Sequence, residues 1–264
     1  MRGIILAAGK GIRLNGTTGN TPKCLLEIGD CTLLERQMQT LKSCGIRDIT
    51  VVVGYQSERV RKFCEPETRI VENSIYEKTN SLFSLWLARE YLSDGFVVLN
   101  SDVLFHPRLL TNLLESSYKN ALLMEPVNRL EMLLGDEEMK VKVEGERVIE
   151  INKTMKPDEA DGENLGIVKF GKSDAPVLVN IMDALISGGC LRDWAPRAFG
   201  EFATMRHLNV IGTAGLPWIE IDYPEDYQKA LHEILPNIET IKPASQTGKL
   251  ITVGHQARVA EIYS

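Results

Sequence analysis

The strongest constraint on this chain lies in its first 23 residues, where Gly3-Ile4-Ile5-Leu6-Ala7-Ala8 runs into Gly9-Lys10-Gly11-Ile12-Arg13-Leu14 and then into Asn20-Thr21-Pro22-Lys23. An apolar run rich in Ile and Leu and ended by glycines predicts a buried strand that empties into a loop. Gly9 and Gly11 permit positive φ and close approach of backbone N–H groups to a ligand, while Lys10, Arg13 and Lys23 make the loop cationic. Such a loop suits a polyphosphate. The familiar phosphate loops do not match it: Gly-x-x-x-x-Gly-Lys-Ser/Thr does not occur, and Gly9-x-Gly11 lacks the third glycine of the dinucleotide fingerprint, with Leu14 and Asn15 where it would fall. The residues alone give an anion-binding strand and loop, with ordinary turn glycines and solvated surface cations as the alternative.

Downstream, apolar runs alternate with helical patterns. Cys24 to Ile28 reads as a short strand closed by Gly29-Asp30, and Thr32 is placed to cap a helix in which Leu33, Leu34, Met38 and Leu41 recur at helical spacing before Gly45 stops it. Asp48 to Gly54 is a continuous apolar run, as expected of a parallel strand buried on both faces. A short helix from Ser57 to about Cys64 and a strand at Thr68 to Val71 complete a rhythm that implies a doubly wound parallel sheet. Residues 80–92 predict an apolar helix with Asn80 or Ser81 at its N-cap, a polar start that either caps the helix or meets a phosphate or a base edge. Phe96 to Asp102 is a buried strand ending in a carboxylate, at the strand end where ligands of open α/β sheets gather; a turn before the Pro107 helix is the plainer reading.

From about Asn128 to Lys172 the texture changes to short strands with charged turns, including a hairpin of Met139–Val143 and Arg147–Ile151 about Glu144-Gly145-Glu146. Helices are expected at Asp174–Ser187 and about Leu191–Ala203. In the extended stretch after Pro217, Glu220 and Asp222 share one face while Ile219 and Ile221 pack on the other. Two such carboxylates repel unless a cation lies between them or water solvates them. A last core helix runs from Tyr223-Pro224 through Leu231 and Leu235. Beyond Pro236 follow a polar link (Pro243 to Gly248) and Leu250-Ile251-Thr252-Val253, which reads as one more strand, available for packing or self-association.

Composition narrows the function. The 264 residues carry a formal net charge of −6 without long like-charge blocks, which argues against nucleic acid or a membrane surface as partner. Five scattered cysteines without a Cys-x-x-Cys pair, and four scattered histidines, support neither a disulfide framework, a zinc site nor a Ser-His-Asp triad. The short N-terminal apolar run is not a signal peptide and no run reaches the ~18 residues of a membrane span, so a cytoplasmic protein is expected.

As a whole, the opening stretch resembles that of the nucleotidyltransferases that activate sugar phosphates and small phospho-alcohols. Their pattern, Leu-Ala-Ala-Gly-x-Gly-x-Arg-Leu followed by Pro-Lys, is filled at every fixed position by Leu6 to Leu14 and Pro22-Lys23. The resemblance spans about Met1 to Leu235 and is strongest at residues 3–23, 96–102 and 217–226. It implies an α/β, Rossmann-like, doubly wound mixed sheet with a smaller inserted acceptor-binding β-rich portion at about 128–205, in a domain of residues 1–235 followed by a C-terminal extension, 236–264. It also implies an enzyme that joins an NTP to a small phosphorylated acceptor and releases pyrophosphate.

The roles that the resemblance assigns follow its motifs. Leu6, Ala7, Ala8, Gly9 and Gly11 would cradle the triphosphate, Arg13 would steady the leaving β and γ phosphates, and Lys23 would neutralise charge at the α-phosphate. Asp102 and Asp222 would hold Mg²⁺, with Glu220 an outer ligand. Asn73, Tyr76, Asn80 and Ser81 would meet the base and sugar; Lys153 would orient the acceptor phosphate, with Glu163 and its neighbours Asp161 and Asn164 lining the acceptor pocket. Lys10 receives no role. Thr79 to Trp86, the Asp161-Gly162-Glu163 loop and Trp218 to Asp222 are similar to the cytidylyltransferases for phosphocholine, inositol phosphate and phosphonates, so CTP is the favoured nucleotide. The alternative is a sugar-1-phosphate enzyme using UTP, dTTP or GTP, although the Met/Leu-x-Pro-Leu-Thr element of that branch is missing after Asn15. A choline cage would draw on Trp194, Trp218 and Tyr223. A catalytically silent nucleotide sensor would have no reason to keep Arg13, Lys23, Asp102 and Asp222 together, and a dinucleotide oxidoreductase would need the missing glycine.

Overall fold

The computed structural model describes residues 1–14, 20–127 and 134–241. Residues 15–19, the start of the expected acceptor portion at 128–133, and the tail 242–264 with its expected Leu250–Val253 strand lie outside them.

The first half of the chain builds strands β1 (Arg2–Ala7), β2 (Glu27–Ile28), β3 (Cys31–Thr32), β4 (Ile49–Val53), β5 (Arg69–Glu72) and β6 (Phe96–Asn100), with helices α1 (Leu33–Ser43), α2 (Ser57–Arg61) and α3 (Ser81–Leu87) between them. The second half adds β7 (Val103–Phe105), α4 (Pro107–Glu115), β8 (Ala121–Pro126), β9 (Lys140–Glu144), β10 (Arg147–Asn152), β11 (Gly162–Phe170), α5 (Ala175–Ser187), α6 (Pro196–Met205), β12 (Asn209–Gly212), β13 (Trp218–Glu220), α7 (Pro224–Lys229) and α8 (Leu235–Thr240). Nine strands form one sheet in the order β5-β4-β1-β6-β11-β8-β12-β10-β9. Its first four strands are parallel, and β11 then runs antiparallel to both β6 and β8. The sheet is therefore mixed and doubly wound. The chain builds β4 and β5 on one side of β1 and then crosses to β6 on the other, so a crevice opens at the carboxyl ends of β1 and β6.

Strand periodicity divides the core. Ile4 and Leu6 pack on one face with Leu82, Phe170 and Phe199, while Ile5 and Ala7 pack on the other with Leu34, Leu41 and Leu109. The parallel strands are thus buried on both sides, which is why their sequences are apolar without alternation. Phe170 anchors the first face, 5.3 Å from the ring of Phe96 and 5.0 Å from that of Phe202.

Local chemistry sets the ends of the elements. Thr32 accepts from Glu35 N while the Glu35 carboxylate takes the Thr32 amide, a capping box that starts α1. His106 caps α4 by accepting from Arg108 N, and the buried Lys169 ammonium closes the same helix by donating to Leu113 O at 2.7 Å.

Four elements differ from the sequence expectation. Lys23–Leu25 is a 3-10 turn, so the expected strand from Cys24 shrinks to Glu27–Ile28. The helix at 80–92 ends at Leu87 and passes into a 3-10 turn at Arg89–Tyr91. The helix expected from Leu191 begins only at Pro196, a residue suited to a first helical turn, and the Leu191 and Asp193 carbonyls ahead of it accept from Asn80 N and Leu82 N at the start of α3. The last helix does not stop near Leu235. It widens into a π turn at Ala230–Ile234 ahead of Pro236, which has no N–H to donate, and continues to Thr240.

Candidate active site

A cleft of about 640 Å³ opens at the carboxyl ends of β1 and β6. Leu6, Ala7, Ala8, Gly9, Gly11, Arg13, Lys23, Asn80, Ser81, Asp102, Lys153, Glu220 and Asp222 all line it. Glu163 does not.

The floor is the glycine loop. Gly11 sits at φ +62°, and a Cβ there would lie 2.6 Å from Lys23 Cγ, so only glycine lets the Lys23 stem pass beneath the loop. The Lys23 ammonium bonds to Asp222 Oδ1 and lies 3.6 Å from Asp102 Oδ2. Two distant segments meet here because β13 pairs antiparallel with β7, setting Glu220 opposite Val103, while Ile221 N donates to Asp102 O. Ile221 is fully buried, which turns its neighbours Glu220 and Asp222 toward the cleft, as their spacing predicts.

Asp102, Glu220 and Asp222 bring carboxylate oxygens within 4.8 Å of one another. Burial pushes the Asp102 carboxyl above its ordinary range, against the pull of Lys23 and with Asp222 adding to the rise. Burial also drives Glu220 well above the usual carboxylate value, reinforced by Asp102 and Asp222. Desolvation opposes the charge on Lys23, but Asp102, Asp222 and Glu220 outweigh it and hold the ammonium above its normal value. The cluster fits a hard divalent cation. Asp102 Oδ1 is buried without a hydrogen-bond partner, and the donor set is all carboxylate oxygen.

Arg13 donates to Asp222 Oδ2 at 3.3 Å and to Glu137 Oε2 at 2.9 Å, and lies 5.3 Å over the Tyr223 ring. Glu137 also lies 3.6 Å from Lys153, whose ammonium stands 5.1 Å over the half-exposed Trp194 ring. Glu137 thus bridges the two cations on opposite walls. Sequence reasoning missed it, since Asp136-Glu137-Glu138 reads as a solvated charged loop. Of the three aromatic residues expected for a cage, Trp194 lines the cleft, whereas Trp218 is turned away to donate to Glu125 at 2.8 Å and Tyr223 stands under Arg13. Glu163 lies outside the lining of the cleft; burial, with Glu138 and Glu125, pushes its carboxyl up to about 7 against Lys140 and Lys153.

The N-terminus of α3 is already occupied by protein. Asn80 N and Leu82 N donate to Leu191 O and Asp193 O, Ser81 N donates to Asn80 Oδ1, and Ser81 Oγ accepts from Ala195 N. Asn73 is likewise engaged, donating to Thr79 and Ser84. Asn73, Asn80 and Ser81 thus line the cleft while braced by neighbouring segments.

A cationic glycine loop at the switch point of a doubly wound sheet, facing three clustered carboxylates, defines a nucleotidyltransferase. The family model for the MobA-like NTP transferase domain matches residues 3–144. The choline-phosphate cytidylyltransferase of Streptococcus pneumoniae is 32% identical over 243 residues, covering 90% of this chain and 99% of that protein. The bifunctional IPC transferase and DIPP synthase of Rubrobacter xylanophilus is 31% identical over 237 residues, 88% of this chain, which spans about half (51%) of that longer protein. Among solved structures, the CTP:phosphocholine cytidylyltransferase of S. pneumoniae superposes with a TM-score of 0.71 at 26% identity, covering 89% of this chain and 98% of that one. The chain belongs to the MobA-like NTP transferase family. Among the described residues no helix is long and apolar enough to cross a membrane.

Proposed function

We propose that this chain transfers a cytidylyl group from CTP to a small phosphorylated or phosphonate acceptor, with Mg²⁺ as the resident cation and pyrophosphate as the second product. The observation that carries this reading is the convergence of Gly11, Lys23, Asp102 and Asp222 at the carboxyl ends of β1 and β6. The choice of CTP rests on the cytidylyltransferase that matches nearly end to end.

An acceptor oxygen is already ionised at neutral pH, so attack at the α-phosphorus needs positioning and charge neutralisation more than a base. The oxygen forms the new P–O bond in line with the departing bridge oxygen, and pyrophosphate leaves with the electron pair of the broken bond. Loop amides after Ala8 bind the triphosphate. Lys23 donates to the α-phosphate as charge grows there, and Arg13 holds the β and γ phosphates. Asp102, Asp222 and Glu220 would hold Mg²⁺, which supplies neutralisation of the triphosphate charge when bound. Lys153, whose ammonium stands over the half-exposed Trp194 ring, fixes the acceptor phosphate.

The test is pyrophosphate release from CTP, UTP, dTTP, GTP and ATP against phosphocholine, inositol phosphate, aminoethylphosphonate and hexose 1-phosphates. Release with CTP and one of the first three acceptors is expected. Release only with UTP or dTTP and a hexose 1-phosphate would move the protein to the sugar branch, and silence with every pair would favour a nucleotide sensor.

A further inference from the structure

The acceptor wall rests on a buried charge that the mechanism above does not use. Lys140, on β9, is fully buried, among the largest side chains in the interior to be so. A side chain so placed has no water to bond to, so its polar head must be satisfied by protein groups. It donates to Lys153 O at 2.9 Å and to Glu138 O at 3.4 Å. Both carbonyls belong to the acceptor side: Glu138 follows Glu137, and Lys153 carries the ammonium that stands over Trp194.

Across the sheet the same row continues. Glu163 on β11 is registered opposite Lys140 on one side and opposite Glu125 on β8 on the other, so the three side chains share a face. Glu125 accepts from Trp218 Nε1 at 2.8 Å and Thr213 Oγ1 at 2.6 Å, tying the row to β13, the strand that carries Glu220. The segment beyond β10 has a second brace, with Asn152 Oδ1 accepting from Met155 N at 2.6 Å and from Thr154 Oγ1 at 3.2 Å. Lys153 lies between these two anchors. An apolar side chain of similar length would fill the Lys140 site at less cost, so packing alone does not account for a lysine.

We infer that Lys140 is a positioning residue: by holding the Lys153 carbonyl from inside, with Glu163 registered opposite it on β11, it sets where the Lys153 ammonium meets the acceptor phosphate. This rests on the proposed acceptor role of Lys153.

The test compares the full chain with Lys140→Met and Lys140→Arg in two measurements. Steady-state pyrophosphate release with CTP and phosphocholine, or aminoethylphosphonate if that is the acceptor used, reads function; amide exchange of peptides covering 152–156 reads anchoring without needing activity. Lys140→Met is expected to raise the acceptor KM about tenfold, leave the CTP KM within about twofold, and speed exchange at 152–156. Lys140→Arg should recover most of both. An unchanged acceptor KM, or acceptor and CTP KM rising together with a lowered Tm, would overturn the inference by making Lys140 merely structural. If the wild-type chain releases no pyrophosphate with any acceptor, the proposed function fails, and the exchange data alone decide: faster exchange in Lys140→Met supports the anchor and unchanged exchange overturns it.

Discussion

On the wall proposed to hold the nucleotide, the four parallel strands present Leu6 to Gly11 with the side chains of Arg13 and Lys23, all near one another in the chain. The acceptor wall is assembled from β9, β10, β11 and the segment before α6, and its groups (Glu137, Lys153, Trp194) come together only through side chains braced from behind. The proposed triphosphate contacts on the first wall therefore come from residues near one another in the chain, with a 3-10 turn at Ile12–Leu14 and another at Lys23–Leu25. On the second, the proposed acceptor contacts depend on side-chain placement, and behind them Lys140, Glu163 and Glu125 stand in one cross-strand row, with Lys140 donating to the Lys153 carbonyl. Under the proposed function, nucleotide binding is drawn from residues close in the chain and acceptor selection from residues far apart in it.

That contrast can be broken at either wall. Asp102→Asn or Asp222→Asn should lower kcat by roughly 1,000-fold, about 4 kcal/mol of transition-state stabilisation, with the circular dichroism spectrum unchanged. A fully active Asp102→Asn would remove the metal assignment. Gly11→Ala should come next. A residue forced to φ +62° against Lys23 Cγ is strained, and kcat/KM for CTP should fall on the order of 10- to 100-fold as Lys23 is displaced. Lys153→Met acts on the other wall alone: the acceptor KM should rise roughly tenfold with the CTP KM unchanged within about twofold. Equal rises in both would show that the walls are not separable.

The smallest effect belongs to the far end of the sheet, away from both walls. Asp48 accepts from Arg2 Nε at 2.8 Å and Arg69 Nη1 at 2.7 Å. Burial alone would raise its carboxyl, but the two arginines hold it below the usual value. A depressed folded pKa stabilises the fold above the unfolded value of about 3.9 and loses that contribution as pH falls through the lower folded value. Asp48 is 40% exposed, so solvent screens the pair; Asp48→Asn should cost no more than about 1 kcal/mol in urea unfolding at pH 7. The gap should close as the pH drops below about 4, with kcat untouched.

The two walls were not equally legible in the sequence. Leu6 to Leu14 with Pro22-Lys23 could be read as a strand and an anion-binding loop, Asp102 as a strand-end carboxylate or a turn, and Glu220 with Asp222 as one face by period-two spacing; the expectation of nucleotidyl transfer comes from the family resemblance. The antiparallel pairing of β7 with β13 that unites Asp102 with Asp222 has no local signature. Lys140 was opaque for a stronger reason. In Met139-Lys140-Val141-Lys142-Val143 the alternation puts both lysines on one face, which reads as solvent; the neighbouring strand β11 covers Lys140 and leaves Lys142 partly open. The β11 bend that permits this occurs at Gly166, φ +75°, where a Cβ would lie 2.5 Å from the Asn100 amide. Asn80 and Ser81 read correctly as a helix start, yet the partners that take up that start, Leu191 to Ala195, lie more than a hundred residues along the chain.

The most direct test follows the phosphorus itself. The chain is given CTP labelled at the α-phosphorus together with phosphocholine, inositol phosphate or aminoethylphosphonate, and the labelled product is identified alongside the pyrophosphate released. The account predicts that the label moves into a cytidylyl-acceptor anhydride in step with pyrophosphate. Label appearing as free CMP, or remaining in CTP while a uridine or thymidine nucleotide reacts with a hexose 1-phosphate, would contradict it.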